Sequence, residues 1–387
     1  MRINIIPIVC KNSSLIYLIN LIGIDSLKKF LIVSTTGMGD TLWSTPAIRA
    51  IKKTIPNSCI DLLLQPQWKS LFSENKNIRG LYSYYPQWYR QLITLPSILK
   101  SNYDHVFIFH ANKDISRLLP WIRCPNIWLN QDLNPPLPLA YRPRRFQWKT
   151  KLFMDYMGVR KKIQIIPFSK ATHAIYRRLD MLKEAHIIPD GTHMEIFING
   201  NENKKSNEFL IHNQITNNNF IYLNVGGSLL QKQWPQKNFI ALAKRIISNT
   251  SLFIILGGGP DDAHRINTIN EEINHERVVP ATDRSLIENC ALIKNAKVLV
   301  TPDSGPMHIG FALKVPTIGL FWSEDLQGLQ RNVLNGPDYC GPLDIDQSLC
   351  CVLSGNFLDI NEKSEVEQLS IKQISVDDVW KKILNFL

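Results

Sequence analysis

Residues 30–40 read FLIVSTTGMGD, an apolar run that ends in a glycine-rich turn. Short apolar, β-branched runs that end in such a turn are typical of buried parallel strands. The other runs of this kind are 59–64, 105–109, 220–225, 252–256, 297–301 and 315–321. Apolar residues at helical spacing separate several of these runs, and the first such helix is predicted to begin near Ser44. This strand–helix repetition predicts an α/β protein with parallel sheets.

The chain has 387 residues, which is too long for one ordinary core and predicts two domains. Each half carries its own series of strands and helices, so we expect two Rossmann-like domains, at 29–200 and 220–374. Residues 201–219 are rich in Asn and Lys and lack a long apolar period, so we interpret them as a linker or loose hairpin. The amphipathic stretch 375–387 predicts a terminal helix that crosses back to the first domain.

The first 28 residues form an N-terminal extension ahead of the first strand. Their apolar run, residues 15–24, is too short to span a bilayer, and no small-residue cleavage site follows it. We interpret residues 1–28 as an extra element that packs on the first domain or lies on a membrane surface.

The composition, 44% hydrophobic and 20% charged residues, is that of a globular protein and argues against disorder on a large scale. The net charge of +11 is concentrated, because residues 141–183 contain 12 Lys/Arg and two acidic residues. This segment is either a solvated basic face or a surface that attracts a phosphorylated glycolipid or an anionic membrane. Nucleic acid is the least favoured partner, since no nucleic-acid-binding motif accompanies the charge.

The seven cysteines form no C-x-x-C pair, which indicates free thiols in a reducing cytoplasm. The alternative is a metal site built from Cys340, Cys350 and Cys351, although no histidine joins them at zinc-ligand spacing.

The first loop that carries chemistry is Gly37-Met38-Gly39-Asp40, directly after the first strand. Two glycines separated by one residue let a ligand approach main-chain N–H groups. The third glycine of a dinucleotide fingerprint is missing, because Leu42 occupies its place. Asp40 stands at the start of a helix, where an aspartate is ordinarily a cap.

Two further loops follow strands of the second half. Gly227 and Ser228, with Lys232 close behind, suit a diphosphate, because amides, a hydroxyl and a cation favour phosphate oxygens. Gly257 begins the run GGGP, and Asp261 follows directly after it. The carboxylate of Asp261 could hold the hydroxyl pair of a ribose. Helix capping explains Asp261 equally well, and both interpretations stay open.

The last loop reads DSGPMH, residues 303–308, between a strand and a helix. Ser304 and Gly305 would present N–H groups at the positive end of the helix, where phosphate binds readily. Asp303 would repel phosphate, so we expect it to accept hydrogen bonds from sugar hydroxyls. His308 lies one turn further on and faces either the phosphates or the core.

Together these loops resemble glycosyltransferase family 9, the ADP-heptose:lipopolysaccharide heptosyltransferases. The match holds in order and spacing from the first strand to residue 321. Its motifs are Gly39-Asp40, TPAIRA at 45–50, KQWP at 232–235, Gly257-Gly258, DSGPMH at 303–308 and ALKVPT at 312–317. DSGPMH is the most specific of them. The chain departs from many relatives at 226–228, where one hydroxyl stands in place of a pair.

The resemblance implies a GT-B fold, in which an acceptor-binding first domain faces a second domain that binds a nucleotide sugar. It implies inverting transfer without a metal or cofactor, with Asp40 as the general base. Lys232, Ser228 and the amides of Ser304 and Gly305 would stabilise the departing diphosphate, and Asp303 would bind the donor sugar. The implied donor-site residues are Gly39, Gly227, Ser228, Gly257, Asp261, Asp303, Ser304, Gly305 and His308.

The implied donor is ADP-heptose, and the implied acceptor is an acidic lipid-linked saccharide of the lipopolysaccharide core. Such an enzyme is expected in the cytoplasm, peripheral on the inner membrane. The alternatives are another nucleotide sugar, an NAD(P)-dependent oxidoreductase and a non-catalytic donor-binding subunit. The missing third glycine counts against an oxidoreductase, and the presence of both Asp40 and Lys232 counts against a non-catalytic subunit.

Overall fold

The computed structural model describes residues 27–110, 115, 118–130, 163–166, 173–216, 218–227, 232–321, 336–344, 349–354 and 371–387. Several predicted features lie outside these residues: nearly all of the N-terminal extension, Ser228 and most of the basic segment 141–183.

The first domain is built on a six-stranded parallel sheet with the order β3-β2-β1-β4-β5-β6. Its strands are β1 Lys29–Ser34, β2 Cys59–Leu64, β3 Gly80–Ser83, β4 His105–His110, β5 Asn126–Asn130 and β6 Ile163–Ile166. Its helices are α1 Met38–Leu42, α2 Thr45–Thr54, α3 Trp88–Leu99 and α4 Ala174–Glu184, with 3₁₀ turns at Pro66–Leu71 and Leu119–Trp121.

The second domain repeats this design with the order β12-β11-β10-β7-β8-β9. Its strands are β7 Phe220–Asn224, β8 Phe253–Gly257, β9 Val278–Pro280, β10 Val298–Pro302, β11 Thr317–Phe321 and β12 Cys350–Ser354. Its helices are α5 Gly200–His212, α6 Gln236–Asn249, α7 Ala263–Ile273, α8 Leu286–Lys294, α9 Gly305–Leu313, α10 Pro337–Cys340 and α11 Val376–Leu384, with 3₁₀ turns at Pro260–Asp262 and Ile371–Gln373.

The strand order reverses at the centre of each sheet, between β1 and β4 and between β7 and β10. Ligands of open α/β sheets bind at such reversals, beyond the carboxyl ends of the strands. All seven predicted strands are present, because their apolar runs are buried on both faces of the sheet. The sequence analysis missed the strands β3, β5, β6, β9 and β12, which are three to five residues long.

Residues 201–219 were expected to form a linker or loose hairpin. The structure instead has the helix α5 over most of this segment. Asn199 caps it, since its Oδ1 accepts a hydrogen bond from the Glu202 amide at 2.9 Å. Only Ser206, Phe209 and Leu210 of this helix are buried, and the helix packs against α8. A stripe this narrow has no long apolar period, which is why the sequence did not indicate a helix.

The terminal helix α11 exists as predicted, but it packs within its own domain instead of crossing back. It contacts α6, β11 and β12. Val379, Trp380 and Ile383 are buried in the core of the second domain. Just before the helix, the indole Nε1 of Trp234 donates a hydrogen bond to the Ile374 carbonyl at 2.9 Å. The apolar stripe of α11 therefore packs into a groove between α6 and the sheet of its own domain.

The two domains share a core, in which Trp43 and Ile48 of the first domain belong to one buried cluster with Met307 and Phe311 of the second. Helices α1 and α9 form the contact. In the described part of the chain, no helix is both long and apolar enough to cross a membrane.

Candidate functional site

The strand reversal in the first domain brings Asp40 and His110 together. Asp40 lies on α1, just after β1, and His110 is the last residue of the neighbouring strand β4. The pairing of these strands is irregular, since Val33 pairs with Ile108 but Ser34 pairs with His110. At this irregularity the end of β4 lies against the loop that leads to Asp40, because the Thr35 amide donates to the His110 carbonyl at 2.8 Å.

Both carboxylate oxygens of Asp40 have partners. Oδ2 accepts hydrogen bonds from Thr36 Oγ1 at 2.9 Å and from the Gly37 amide at 3.1 Å. Oδ1 lies 3.2 Å from Nδ1 of His110. The bond to Gly37 is a helix cap, so the ordinary interpretation of Asp40 is correct for one of its two oxygens.

Burial has the largest single effect and raises the pKa of Asp40, but several smaller influences together outweigh it. The contact with His110, the charge of Arg178 and the hydrogen bond from Thr36 together hold the pKa of this carboxyl well below its ordinary value. Asp40 is therefore an anion at neutral pH.

Arg178 contacts the backbone of Asp40 and is completely buried. Its Nη1 donates to the Ala174 carbonyl at 2.9 Å and its Nη2 to the Asp40 carbonyl at 3.3 Å. Its guanidinium also stacks 5.1 Å from the ring of Trp43. Sequence reasoning placed Arg178 in a basic surface segment, which is wrong for this residue. Its position on the apolar stripe of α4, between Ile175 and Leu182, was the available signal.

The strand reversal in the second domain brings Lys232 to Asp303. Their Nζ and Oδ2 atoms are 2.7 Å apart, and the side chains are only 13% and 5% exposed. Cys340 Sγ lies 3.8 Å from the other oxygen, Oδ1. Burial raises the pKa of the Cys340 thiol well above its ordinary value, and the charge of Asp303 raises it further, so the thiol is neutral.

Helix α9 begins at this pair, with Ser304 as its N-cap residue. The Ser304 hydroxyl does not cap the helix but donates to the Pro302 carbonyl at 3.1 Å. Because no side chain caps this end, the first amides of α9, including that of Gly305, can bind an anion, as the sequence analysis expects.

His308 faces the core between the domains and is 4% exposed. Its Nδ1 accepts a hydrogen bond from the Trp43 indole at 3.3 Å, and its ring packs edge-on against Trp43 and Phe311. Burial lowers the pKa of His308 to about 3, so the ring is neutral. Of the two orientations left open by the sequence, the structure has the core one, and the side chain is not placed to hold a phosphate.

Two of the motif glycines permit close contact between the domains. A Cβ atom at Gly39 would lie 2.4 Å from His308 Cδ2, and one at Gly305 would lie 2.6 Å from Met38 Sδ. The sequence analysis expected Gly39 to open its backbone to a ligand, whereas the structure places the second domain against it.

Of the remaining predicted loop residues, Gly227 and Gly257 contact neighbouring side chains, whereas Asp261 is exposed. The Gly227 carbonyl accepts a hydrogen bond from Gln233 at 2.9 Å. A Cβ atom at Gly257 would collide with the hydroxyl of Tyr222, so this position requires glycine for packing. Asp261 is exposed, and its neighbour Asp262 caps the turn by accepting from the Gly259 amide at 2.8 Å.

The residues 336–344 join the two halves of the site. Tyr339 packs edge-on against Trp43 at 5.8 Å, and the Gly341 carbonyl lies 3.0 Å from His173 Nε2. The adjacent Cys340 reaches Asp303 on the other side. The site therefore has an anion on its first-domain side and a lysine with an uncapped helix end on its second-domain side.

The described residues include no group of three His, Cys, Asp or Glu side chains arranged to hold a metal ion. Cys340 and Cys351 are free thiols. A cation that balances a leaving phosphate is instead available from Lys232.

Comparison with known proteins matches residues 146–330 to glycosyltransferase family 9 (heptosyltransferase). Lipopolysaccharide heptosyltransferase 3 of Escherichia coli (strain K12) is 23% identical over 296 residues, which cover 74% of this chain and 80% of that protein.

Solved structures have the same two-domain GT-B fold. The glycosyl transferase family 9 protein of Veillonella parvula DSM 2008 has a TM-score of 0.72 and 20% identity, over 93% of this chain and 97% of that one. The E. coli ADP-heptose lipopolysaccharide heptosyltransferase II has a TM-score of 0.68 and 18% identity, over 92% and 98% of the two chains.

Proposed function

The chain belongs to glycosyltransferase family 9, and from this premise we propose that it transfers a heptose from ADP-heptose to the core saccharide of a lipopolysaccharide acceptor. Support for this donor comes from the similarity to the E. coli ADP-heptose lipopolysaccharide heptosyltransferase II. The observation that carries the proposal is the placement of Lys232 and the uncapped start of α9 across the site from Asp40.

On the donor side, the diphosphate binds the first amides of α9 and the ammonium of Lys232. These groups stabilise the charge that develops as the bond between the sugar and the phosphate breaks. Asp303 is paired with Lys232. When the diphosphate takes over Lys232, the Asp303 carboxylate is available to accept hydrogen bonds from the hydroxyls of the sugar.

On the acceptor side, the resemblance implies Asp40 as the general base, and we assign removal of the hydroxyl proton to the centre that Asp40 forms with its neighbours. The hydroxyl oxygen then attacks the anomeric carbon from the face opposite to the diphosphate. Attack from that face inverts the configuration of the sugar. Lys232 and the helix end replace the metal ion that other transferases use on the leaving diphosphate.

The acceptor in this proposal is an acidic, lipid-linked saccharide at the cytoplasmic face of the inner membrane. The argument is the concentration of positive charge in residues 141–183, which attracts phosphorylated lipid and anionic membrane surfaces. The enzyme would then act as a peripheral protein on that membrane.

The test is incubation with ADP-heptose and a heptose-free core acceptor, with the product followed by mass spectrometry. We expect the wild type to add one heptose and Asp40→Asn to lose the activity. Asp283→Asn is the matched control, because it changes an exposed carboxylate far from the motif loops in sequence. If another nucleotide sugar is consumed and ADP-heptose is not, the assignment of the donor is wrong.

The oxidoreductase alternative is tested by NAD(P) binding, and we expect NAD(P) to leave the melting temperature unchanged.

A further inference from the structure

His110 was not a candidate from the sequence, yet it is the nearest ionisable side chain to the Asp40 carboxylate in the described residues. It ends β4, at the strand reversal of the first sheet. The Thr35 amide donates to the His110 carbonyl at 2.8 Å, which fixes the backbone of His110 against the loop that leads to Asp40. The register of β1 and β4 shifts at this point, between Val33 and Ser34. Irregularities of this kind commonly re-aim a side chain beside an active site.

The Asp40 carboxylate is poorly suited to take a proton itself. Oδ2 already accepts two hydrogen bonds, from Thr36 and Gly37, and Oδ1 faces His110. Besides His110, the charge of Arg178 and the hydrogen bond from Thr36 lower the pKa of Asp40. A general base works best when its pKa is near the working pH, so a carboxylate held this way is a weak one.

The imidazole of His110 has the complementary arrangement. Its Nδ1 atom is buried and lies at ion-pair distance from Asp40 Oδ1, without the alignment of a full hydrogen bond. Catalytic pairs often align only when the substrate binds. The His110 side chain as a whole is 28% exposed. Because Nδ1 is buried, this exposed surface belongs to other atoms of the side chain. Nε2 is then the ring nitrogen that is not turned towards Asp40.

We propose that Asp40 and His110 form a catalytic pair in which Asp40 orients the ring through Nδ1–H and His110 Nε2 takes the proton from the acceptor hydroxyl. An aspartate that accepts from Nδ1–H keeps the lone pair on Nε2 and stabilises the imidazolium that forms. This inference rests on the proposed transfer reaction and names the atom that performs its proton step.

The O–H bond of the acceptor breaks and its proton binds to Nε2, while an electron pair of that oxygen forms the new bond to the anomeric carbon. The bond from the anomeric carbon to the diphosphate breaks, and its electron pair leaves with the phosphate beside Lys232. The imidazolium then returns its proton to solvent after the product leaves.

The first test reads the tautomer of His110 directly, by ¹⁵N NMR of histidine-labelled protein at a pH where the ring is neutral, with His110→Gln used to assign the signal. We expect the proton on Nδ1 and a free lone pair on Nε2. In Asp40→Asn we expect this preference to be lost. A proton found on Nε2 in the wild type overturns the inference, and this readout does not depend on transfer activity.

The second test is the transfer assay with His110→Ala, with His264→Ala as the control because His264 is exposed. General-base catalysis contributes about 10²–10⁴-fold, so we expect a loss in kcat of that order while binding of ADP stays unchanged. Added imidazole should restore part of the rate, which a purely structural role would not allow. Transfer by His110→Ala at the wild-type rate overturns the inference. A wild type that transfers nothing overturns the proposed function instead, and the tautomer still decides the role of His110.

Discussion

The indole of Trp43 donates a hydrogen bond to Nδ1 of His308 over 3.3 Å, although 265 positions separate the two residues in the sequence. Trp43 follows α1, which carries Asp40, and His308 is in the first turns of α9, which begins beside Lys232 and Asp303. The distance between the acceptor side and the donor side of the site therefore depends on this contact.

We expect Gly39→Ala to destabilise the protein and slow transfer. The added methyl would lie 2.4 Å from His308 Cδ2, so α1 and α9 must move apart. Overpacking of this kind costs about 1–3 kcal/mol, measured by urea unfolding. Gly200→Ala is the control, because a Cβ there has no atom within 4 Å. Equal stability of both variants would mean that the helices are not in direct contact.

Lys232→Met should lower kcat about 10²–10³-fold, the usual effect of removing a group that stabilises developing charge. It also leaves Asp303 buried without its cation, which costs about 3–5 kcal/mol of stability. Lys237→Met, at an exposed lysine of α6, should change neither quantity.

The double variant Lys232→Met/Asp303→Asn separates the two effects. We expect it to recover much of the stability, because no unpaired charge is left buried, but none of the activity. If the double variant is as unstable as the sum of the single variants, the two residues are not coupled.

Ile383→Ala should destabilise the second domain by about 2–5 kcal/mol, because this side chain is fully buried in its core. The adjacent Leu384 is 50% exposed, and Leu384→Ala should change stability by less than about 0.5 kcal/mol. Urea unfolding measures both. A terminal helix that packed elsewhere would give the two variants similar effects.

Acid should destabilise the protein through two buried histidines. Burial lowers the pKa of His173 to about 4 and that of His308 to about 3, from an ordinary value of 6.5. Below pH 6.5 the unfolded chain binds protons that the folded protein does not, so stability falls as the pH falls. This loss levels off near pH 4 for His173 and near pH 3 for His308.

The measurement is the melting temperature between pH 7.5 and 5, above the range in which the carboxylates titrate. Replacing His173 with Asn should make the melting temperature less dependent on pH. His264→Asn should not, because His264 is exposed in the folded protein as in the unfolded one. If the variant and the wild type have the same pH dependence, the His173 ring of the wild type takes up its proton in the folded protein at the same pH as in the unfolded chain.

The sequence by itself determined the strands with uninterrupted apolar runs, such as β1 and β10, because burial on both faces of a parallel sheet leaves a local signal. It also located the loops of Asp40, Lys232 and Asp303, since each follows a strand directly. The cap at Asp40 was readable from its position at a helix start.

Only the tertiary structure decided which side chains meet. His110 joins Asp40 because β4 pairs with β1 and the pairing is irregular at that point, which no local pattern encodes. Arg178 is buried and His308 faces the core because two domains close on them. The terminal helix stays in its own domain because a groove beside α6 accepts its apolar stripe. Periodicity along a chain specifies which face is apolar, whereas the partner of that face depends on packing between residues far apart in sequence.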